Sequence, residues 1–307
     1  MRNAFADEVT QMAQTDPRVV LLSGDIGNRL FDKLRAQSPS QFLNCGVAEQ
    51  NMMGVAAGMG LSGLRPIVYT ITPFTTVRCL EQIKIGVAYH KSPVVIVGTG
   101  SGLSYASLGP THHSLEDFAI FRAIPNLQVL APWDEKSLRA CLQMAMQRDG
   151  PSYIRIGKKG EPDLTGDRHM SNISEGFCYS HGKDICLLAV GTVAQEACNA
   201  AQALRAQGVI AEVVLVHTVK PTPTAMFDDL LSRFDSFVVV EEHAQTAGFG
   251  EAFLSYLART GKVKKVVALG ASDTFMPVVG SQKYARQHFQ IDAQAITQAA
   301  QSILQGR

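Results

Sequence analysis

The sequence predicts an α/β protein of two consecutive sandwich domains with mostly parallel sheets. Three observations carry this. The 307 residues suit about two domains of ~100–200 residues each. Short β-branched runs alternate with longer stretches of helical period, as in parallel sheets covered on both faces. That alternation stops over 157–175 and then restarts. The expected division is 1–165 for the first domain, 166–180 for a linker and 181–307 for the second.

In the first domain the expected strands are 19–22, 66–71, 93–97, 127–130 and 153–156. Each is short, apolar and bounded by turn residues. Between them lie segments of helical period at 3–14, 47–61, 74–89, 115–121 and 134–147. Gly157-Lys158-Lys159-Gly160-Glu161-Pro162-Asp163 breaks the pattern with Gly, Pro and charge. The second domain alternates strands at 185–190, 211–216, 237–240 and 266–269 with helices at 194–207, 224–233, 250–259 and 293–304. This is layered α/β architecture twice over.

Lys plus Arg number 28 and Asp plus Glu 27, a net charge of +1. Broad nucleic-acid or membrane-surface binding needs a clustered basic excess, and none is visible. No run reaches the ~18 apolar residues of a membrane span. The segment Met1 to Glu8 carries two acids and no apolar stretch, unlike a secretory signal. The six cysteines show no CxxC and no zinc-type pattern, so buried thiols in a reducing cytoplasm are expected, with no metal site.

Several tempting motifs fail. Gly98-Thr99-Gly100-Ser101-Gly102 follows a strand, but Leu103 stands where a dinucleotide fingerprint needs Gly. Neither GxxxxGK[ST] nor GxSxG occurs. Gly24-Asp25-Ile26 has Ile for the second Gly of a magnesium-diphosphate motif, and Asn51 falls in a helical segment.

More informative is Asn44-Cys45-Gly46-Val47-Ala48-Glu49-Gln50-Asn51-Met52. It puts an acid in the first turn of a helix rich in Gly, Ala and Met. A helix dipole favours such an acid without any function. The small residues, however, imply very close packing against another element, leaving Glu49 at an apolar edge where a carboxyl is protonated or paired. A strand, a Pro73-Phe74 corner and a helix ending in Glu81-Gln82-Ile83 come next. Gly109-Pro110-Thr111-His112-His113 then sits on a Gly/Ser loop, a better place for a functional histidine than an apolar face. Gly150-Pro151-Ser152 leads into a strand carrying Arg155 and reaching Lys158.

In that order these segments resemble the carboxyl-terminal half of transketolase. Val240-Glu241-Glu242-His243 and Gly248-Phe249-Gly250-Glu251 extend the resemblance into the second domain. The family binds thiamine diphosphate between a module holding magnesium and diphosphate and a module holding the aminopyrimidine. The resemblance covers only the second module. It therefore implies the pyrimidine-module subunit of a split transketolase. A separate N-terminal subunit would hold the diphosphate and Mg (or Ca), in an α2β2 heterotetramer.

It also implies roles. Glu49 would hydrogen-bond the pyrimidine nitrogen and favour the imino tautomer that activates the cofactor. Phe74 would stack on the pyrimidine, with the register shifting by one residue at Thr75 when counted back from Gln82. Asp25 and Arg78 would lie with the cofactor, and His112 would contact substrate hydroxyls. Arg2, Arg155 and Lys158 would meet a sugar phosphate, Lys158 as a point charge where the family has a forked Arg. Leu108 replaces an acid used on the acceptor hydroxyl, and Gly100 a phosphate-contacting His. These changes point away from the standard pentose-phosphate substrates. A 1-deoxyxylulose-5-phosphate-synthase-like or 2-oxoacid-dehydrogenase β-like subunit, or a non-catalytic scaffold, are the alternatives.

Overall fold

A computed structural model describes residues 1–27, 29–168 and 176–306. In chain order the first unit comprises α1 (Arg2–Thr15), β1 (Val19–Ser23), α2 (Asp32–Gln37), β2 (Phe42–Asn44), α3 (Glu49–Leu61) and β3 (Arg65–Ile71). It continues with α4 (Thr72–Thr75), β4 (Val95–Thr99), α5 (Asp117–Ala123), β5 (Gln128–Leu130), α6 (Glu135–Gln147) and β6 (Ser152–Ile156). The second comprises β7 (Phe177–Ser180), β8 (Ile185–Val190), α7 (Ala194–Arg205), β9 (Ala211–Val216), β10 (Thr218–Lys220) and α8 (Thr224–Arg233). It closes with β11 (Ser236–Ala244), α9 (Phe249–Thr260), β12 (Lys265–Ala271), α10 (Gln282–His288) and α11 (Ala293–Leu304).

The first sheet runs β10-β5-β6-β4-β3-β1-β2, parallel except for β10. The second runs β12-β11-β8-β9-β7, parallel except for β7. The inner strands are buried on both faces, so alternate residues feed different cores. Val19 and Leu21 of β1 share one core with Phe5 and Val9 of α1 and Leu138 and Leu142 of α6. Val20 and Leu22 face Met52, Met53 and Ala56 of α3 in another.

The structure corrects the expected organisation in three places. Phe177–Ser180 is strand β7, so the second sheet begins inside the stretch read as a linker. Residues 169–175 of that stretch lie outside the described residues. β10 follows β9 in the chain yet pairs with β5, so the carboxyl-terminal unit completes the amino-terminal sheet. The helix expected over 74–89 is broken: α4 ends at Thr75, a 3-10 turn spans Val77–Cys79, and Gln82–Tyr89 is a π-helix. A π turn holds one more residue than an α turn. The one-residue shift between Phe74 and Gln82 falls earlier, where α4 ends and the 3-10 turn begins.

Candidate cofactor and substrate site

β1, β2, β3, β4 and β6 are parallel, so their carboxyl ends share one edge of the sheet. Open α/β sheets bind ligands at that edge. Asp25 follows β1, Glu49 follows β2, Phe74 and Arg78 follow β3, His112 follows β4 and Lys158 follows β6.

Glu49 starts α3 and is 3% exposed. Its Oε2 accepts from the Arg78 guanidinium at 2.7 Å. Among the described residues its Oε1 has no hydrogen-bond partner. The carboxyl is thus paired on one oxygen and open on the other. The backbone at Gly24 passes so close that a Cβ there would lie 3.4 Å from Glu49 Cγ and 3.1 Å from Thr70. A side chain at residue 24 would push against both.

Arg78 also lies over the Phe74 ring at 4.1 Å, a cation–π contact covering one face of it. Phe74 meets the His112 ring edge-on, with centroids 5.5 Å apart. His112 in turn meets Tyr105 at 6.2 Å, and Lys158 Nζ lies 4.9 Å from the Tyr105 ring. Glu49, Arg78, Phe74, His112 and Lys158 are therefore linked by consecutive contacts. Thr111 Oγ1 lies 2.9 Å from His112 Nδ1.

Tyr105 was not singled out by sequence, and it accounts for Gly100. Gly100 has φ +81, and a Cβ there would fall 2.0 Å from the Tyr105 ring. An aromatic within a Gly/Ser loop was the available signal.

Arg2 and Lys158, far apart in sequence, line one cavity of about 440 Å³ with Arg29, Lys159 and Glu135. The first turn of α1 supplies Met1, Arg2 and Asn3, so a helix N-terminus, favourable to anions, faces the same space. Arg2 Nε donates to the Tyr69 hydroxyl at 3.1 Å, which orients the side chain. Arg29 and Lys159 were missed because loop cations look like ordinary surface until folding gathers them.

Asp25 has φ +55 and accepts from Asn44 Nδ2 at 2.9 Å. Asn44 Oδ1 then accepts from Gly46 N, tying the β1 and β2 loops together ahead of Glu49. Arg155 is placed differently from expectation. It is 2% exposed, donates to Asp117 Oδ1 at 2.8 Å and to the Glu242 carbonyl at 2.8 Å, and covers Phe118. Tyr153 donates to the other Asp117 oxygen at 2.6 Å. A guanidinium committed to a buried pair within the first unit and to a carbonyl of the second is not offered to a sugar phosphate.

The thiols also depart in part from expectation. Cys79, Cys141, Cys186 and Cys198 are buried, whereas Cys45 and Cys178 are half-buried. No described helix is long and apolar enough to cross a membrane.

By fold and site this is an α/β protein of the open-sheet class, with its candidate site residues at the carboxyl edge. The family model described as transketolase, pyrimidine binding domain, matches residues 1–161, and that of the transketolase C-terminal domain matches 178–296. The chain belongs to the transketolase family. An apulose-4-phosphate transketolase subunit of Phocaeicola vulgatus is 27% identical over 97% of this chain and 96% of its own length. The 6-deoxy-6-sulfo-D-fructose transketolase subunit SqwH of a Clostridium species is 32% identical over 99% and 94%. A solved split-gene transketolase, described as an inactive β4 tetramer, superposes with a TM-score of 0.89 at 30% identity, covering 99% of this chain and 97% of that one.

Proposed function

We propose that the chain is the pyrimidine-module subunit of a two-subunit, thiamine-diphosphate-dependent transketolase. It moves a two-carbon ketol unit from a phosphorylated ketose to an aldose. The observation that carries this is the contact chain from Glu49 through Arg78 and Phe74 to His112, next to a basic cavity holding Arg2 and Lys158.

The residues fit the pyrimidine half of the cofactor. The open Oε1 of Glu49 suits a ring nitrogen, and Phe74 offers an aromatic surface beside it. Thiamine diphosphate, when bound, supplies the carbanion chemistry that carries the two-carbon unit. Glu49 Oε1 would meet the ring nitrogen, while Arg78 fixes Oε2 and so the direction of that hydrogen bond. His112 hydrogen-bonds substrate hydroxyls. Arg2, Arg29, Lys158 and Lys159 hold the phosphate through charge-assisted bonds.

The diphosphate and its Mg (or Ca) belong mainly to a partner subunit, in an α2β2 assembly. The two full-length relatives are each named as one subunit of a transketolase. The outer side of α3 supports a partner too. Gly60 and Gly86 pack closely inside, against Ser92 and Ala57, but Cβ atoms at Gly54 and Gly58 would meet nothing within 4 Å. Val47, just before that helix, and Val77, Ile85 and Tyr89, on segments packed against it, are all more than half exposed. An apolar, small-residue face of this kind suits another subunit.

The substrate departs from the pentose-phosphate set. Leu108 is 49% exposed on the loop that carries His112 and cannot accept a hydrogen bond from an acceptor hydroxyl. A site without that acceptor loses its preference for the hydroxylated aldose.

The test is reconstitution. The chain with thiamine diphosphate and magnesium alone should cleave no ketose, and addition of the partner subunit should restore transfer. The pair should prefer branched or 2-deoxy phosphorylated aldehydes over ribose 5-phosphate. Full activity without the partner, or an obligatory 2-oxo acid donor, would overturn the assignment. An undiminished preference for ribose 5-phosphate would remove the role given to Leu108.

A further inference from the structure

We propose that Cys178, His181 and Glu212 form a binding site for a divalent transition ion of borderline softness, with zinc the expected occupant. Cys178 lies on β7, His181 just past its end and Glu212 on β9. Their ligand atoms all fall within 4.8 Å of one another. Cys178 Sγ is 3.4 Å from His181 Nδ1, and Nδ1 is 3.8 Å from Glu212 Oε2. A tetrahedral zinc with bonds of ~2.0–2.3 Å separates its ligands by roughly 3.3–3.8 Å. The two pairs that involve His181 are already at that spacing.

The backbone brings them there. Cys178 and His181 are three apart, which on a regular strand would place them on opposite faces. The β7–β9 register shifts between Cys178 and Ser180, and the extra residue of such a bulge reverses the alternation. Gly182 follows, and a Cβ there would strike Glu212 N at 2.0 Å. Only glycine lets the turn settle this closely on β9.

Glu212 is held for the purpose. Its carboxylate is 2% exposed and accepts from Arg233 Nη1 at 3.0 Å and from Gly182 N at 3.3 Å. Arg233 Nη2 lies 2.7 Å from its other oxygen and is itself paired with Asp229. A carboxylate has about four lone-pair sites, two on each oxygen, so an ion bound at Oε2 would displace the long 3.3 Å contact from Gly182 N. His181 is 91% exposed, leaving the fourth position to water and a path for the ion. Binding replaces the Cys178 proton, which is released to solvent, and the thiolate and carboxylate balance the ion's two charges. The ion would clip edge strand β7 to β9.

Cobalt(II) titration of the full chain, alone and with its partner subunit, tests this. The expected result is stoichiometric binding with a thiolate-to-cobalt charge-transfer band and the visible bands of a tetrahedral ion, both displaced by zinc. Cys178→Ser and His181→Ala should each lose the charge-transfer band. Zinc affinity should fall by more than the roughly 10–100-fold typical of removing an outer contact. Both substitutions are at partly or fully exposed positions, and thermal unfolding without metal checks that they fold. Zinc should raise the melting temperature of the parent chain and of neither variant. No charge-transfer band in the parent, or a band retained in either variant, would overturn the proposal.

Discussion

The Glu49 carboxylate and the Arg78 guanidinium stand 2.7 Å apart, the first 3% exposed and the second 41%. The pair joins the start of α3 to the segment after β3. It makes the direction of the Glu49 carboxyl depend on a residue 29 positions away. Removing one partner of a buried pair leaves the other uncompensated. Here the cost falls mainly on Glu49, because Arg78 reaches solvent.

Glu49→Gln should therefore abolish turnover while leaving fold and assembly intact. An amide hydrogen-bonds but cannot share an acidic proton, and a loss of ~10²–10⁴ in kcat fits removal of an acid–base group. Arg78→Gln should cost less, because Oε1 of Glu49 remains but its direction is no longer fixed. Steady-state kinetics of the reconstituted pair check both. Near-parental kcat in Glu49→Gln would reduce Glu49 to an ordinary helix-start acid.

Lys158→Met should raise the apparent KM for phosphorylated substrates and leave unphosphorylated ones unchanged. A hydrogen bond to a charged group contributes about 1.5–3 kcal/mol. With Arg2, Arg29 and Lys159 still lining the cavity, the low end is expected, about a 10-fold rise. Equal effects on both substrate types would remove the phosphate from this cavity.

Stability should fall below neutral pH through His217. This ring is 1% exposed and stacked on Trp133, with centroids 5.5 Å apart, and burial pushes its pKa down to about 4. Above pH ~6.5 the ring is neutral folded and unfolded alike. As pH drops from there toward 4, the unfolded chain takes up a proton that the folded chain refuses, so stability is lost across that window. The full effect is roughly 3 kcal/mol. Urea unfolding at pH 7 and pH 4.5 should show a smaller difference for His217→Gln than for the parent. Parallel pH profiles would mean that this ring does not contribute.

The alternation of apolar strands and helices, and the order of the site motifs, were legible in the sequence because both are local. Val19 to Leu22 reads as a strand buried on two faces, and Glu49 falls in the first turn of the small-residue helix expected over 47–61. What the sequence could not show is where chemically similar residues end up. Arg155 and Lys158 are three apart and both cationic, yet one is sealed against Asp117 and the other lines the cavity with Arg2. Strand alternation and the docking of the second unit decided that difference, and both are long-range. For the same reason β10 joins β5 rather than its neighbours in the chain, and Tyr105 occupies the space that Gly100 leaves open. Periodicity determines which residues form an element. Packing alone determined which side chains share a site, because the free energy of burial depends on contacts that no local spacing encodes.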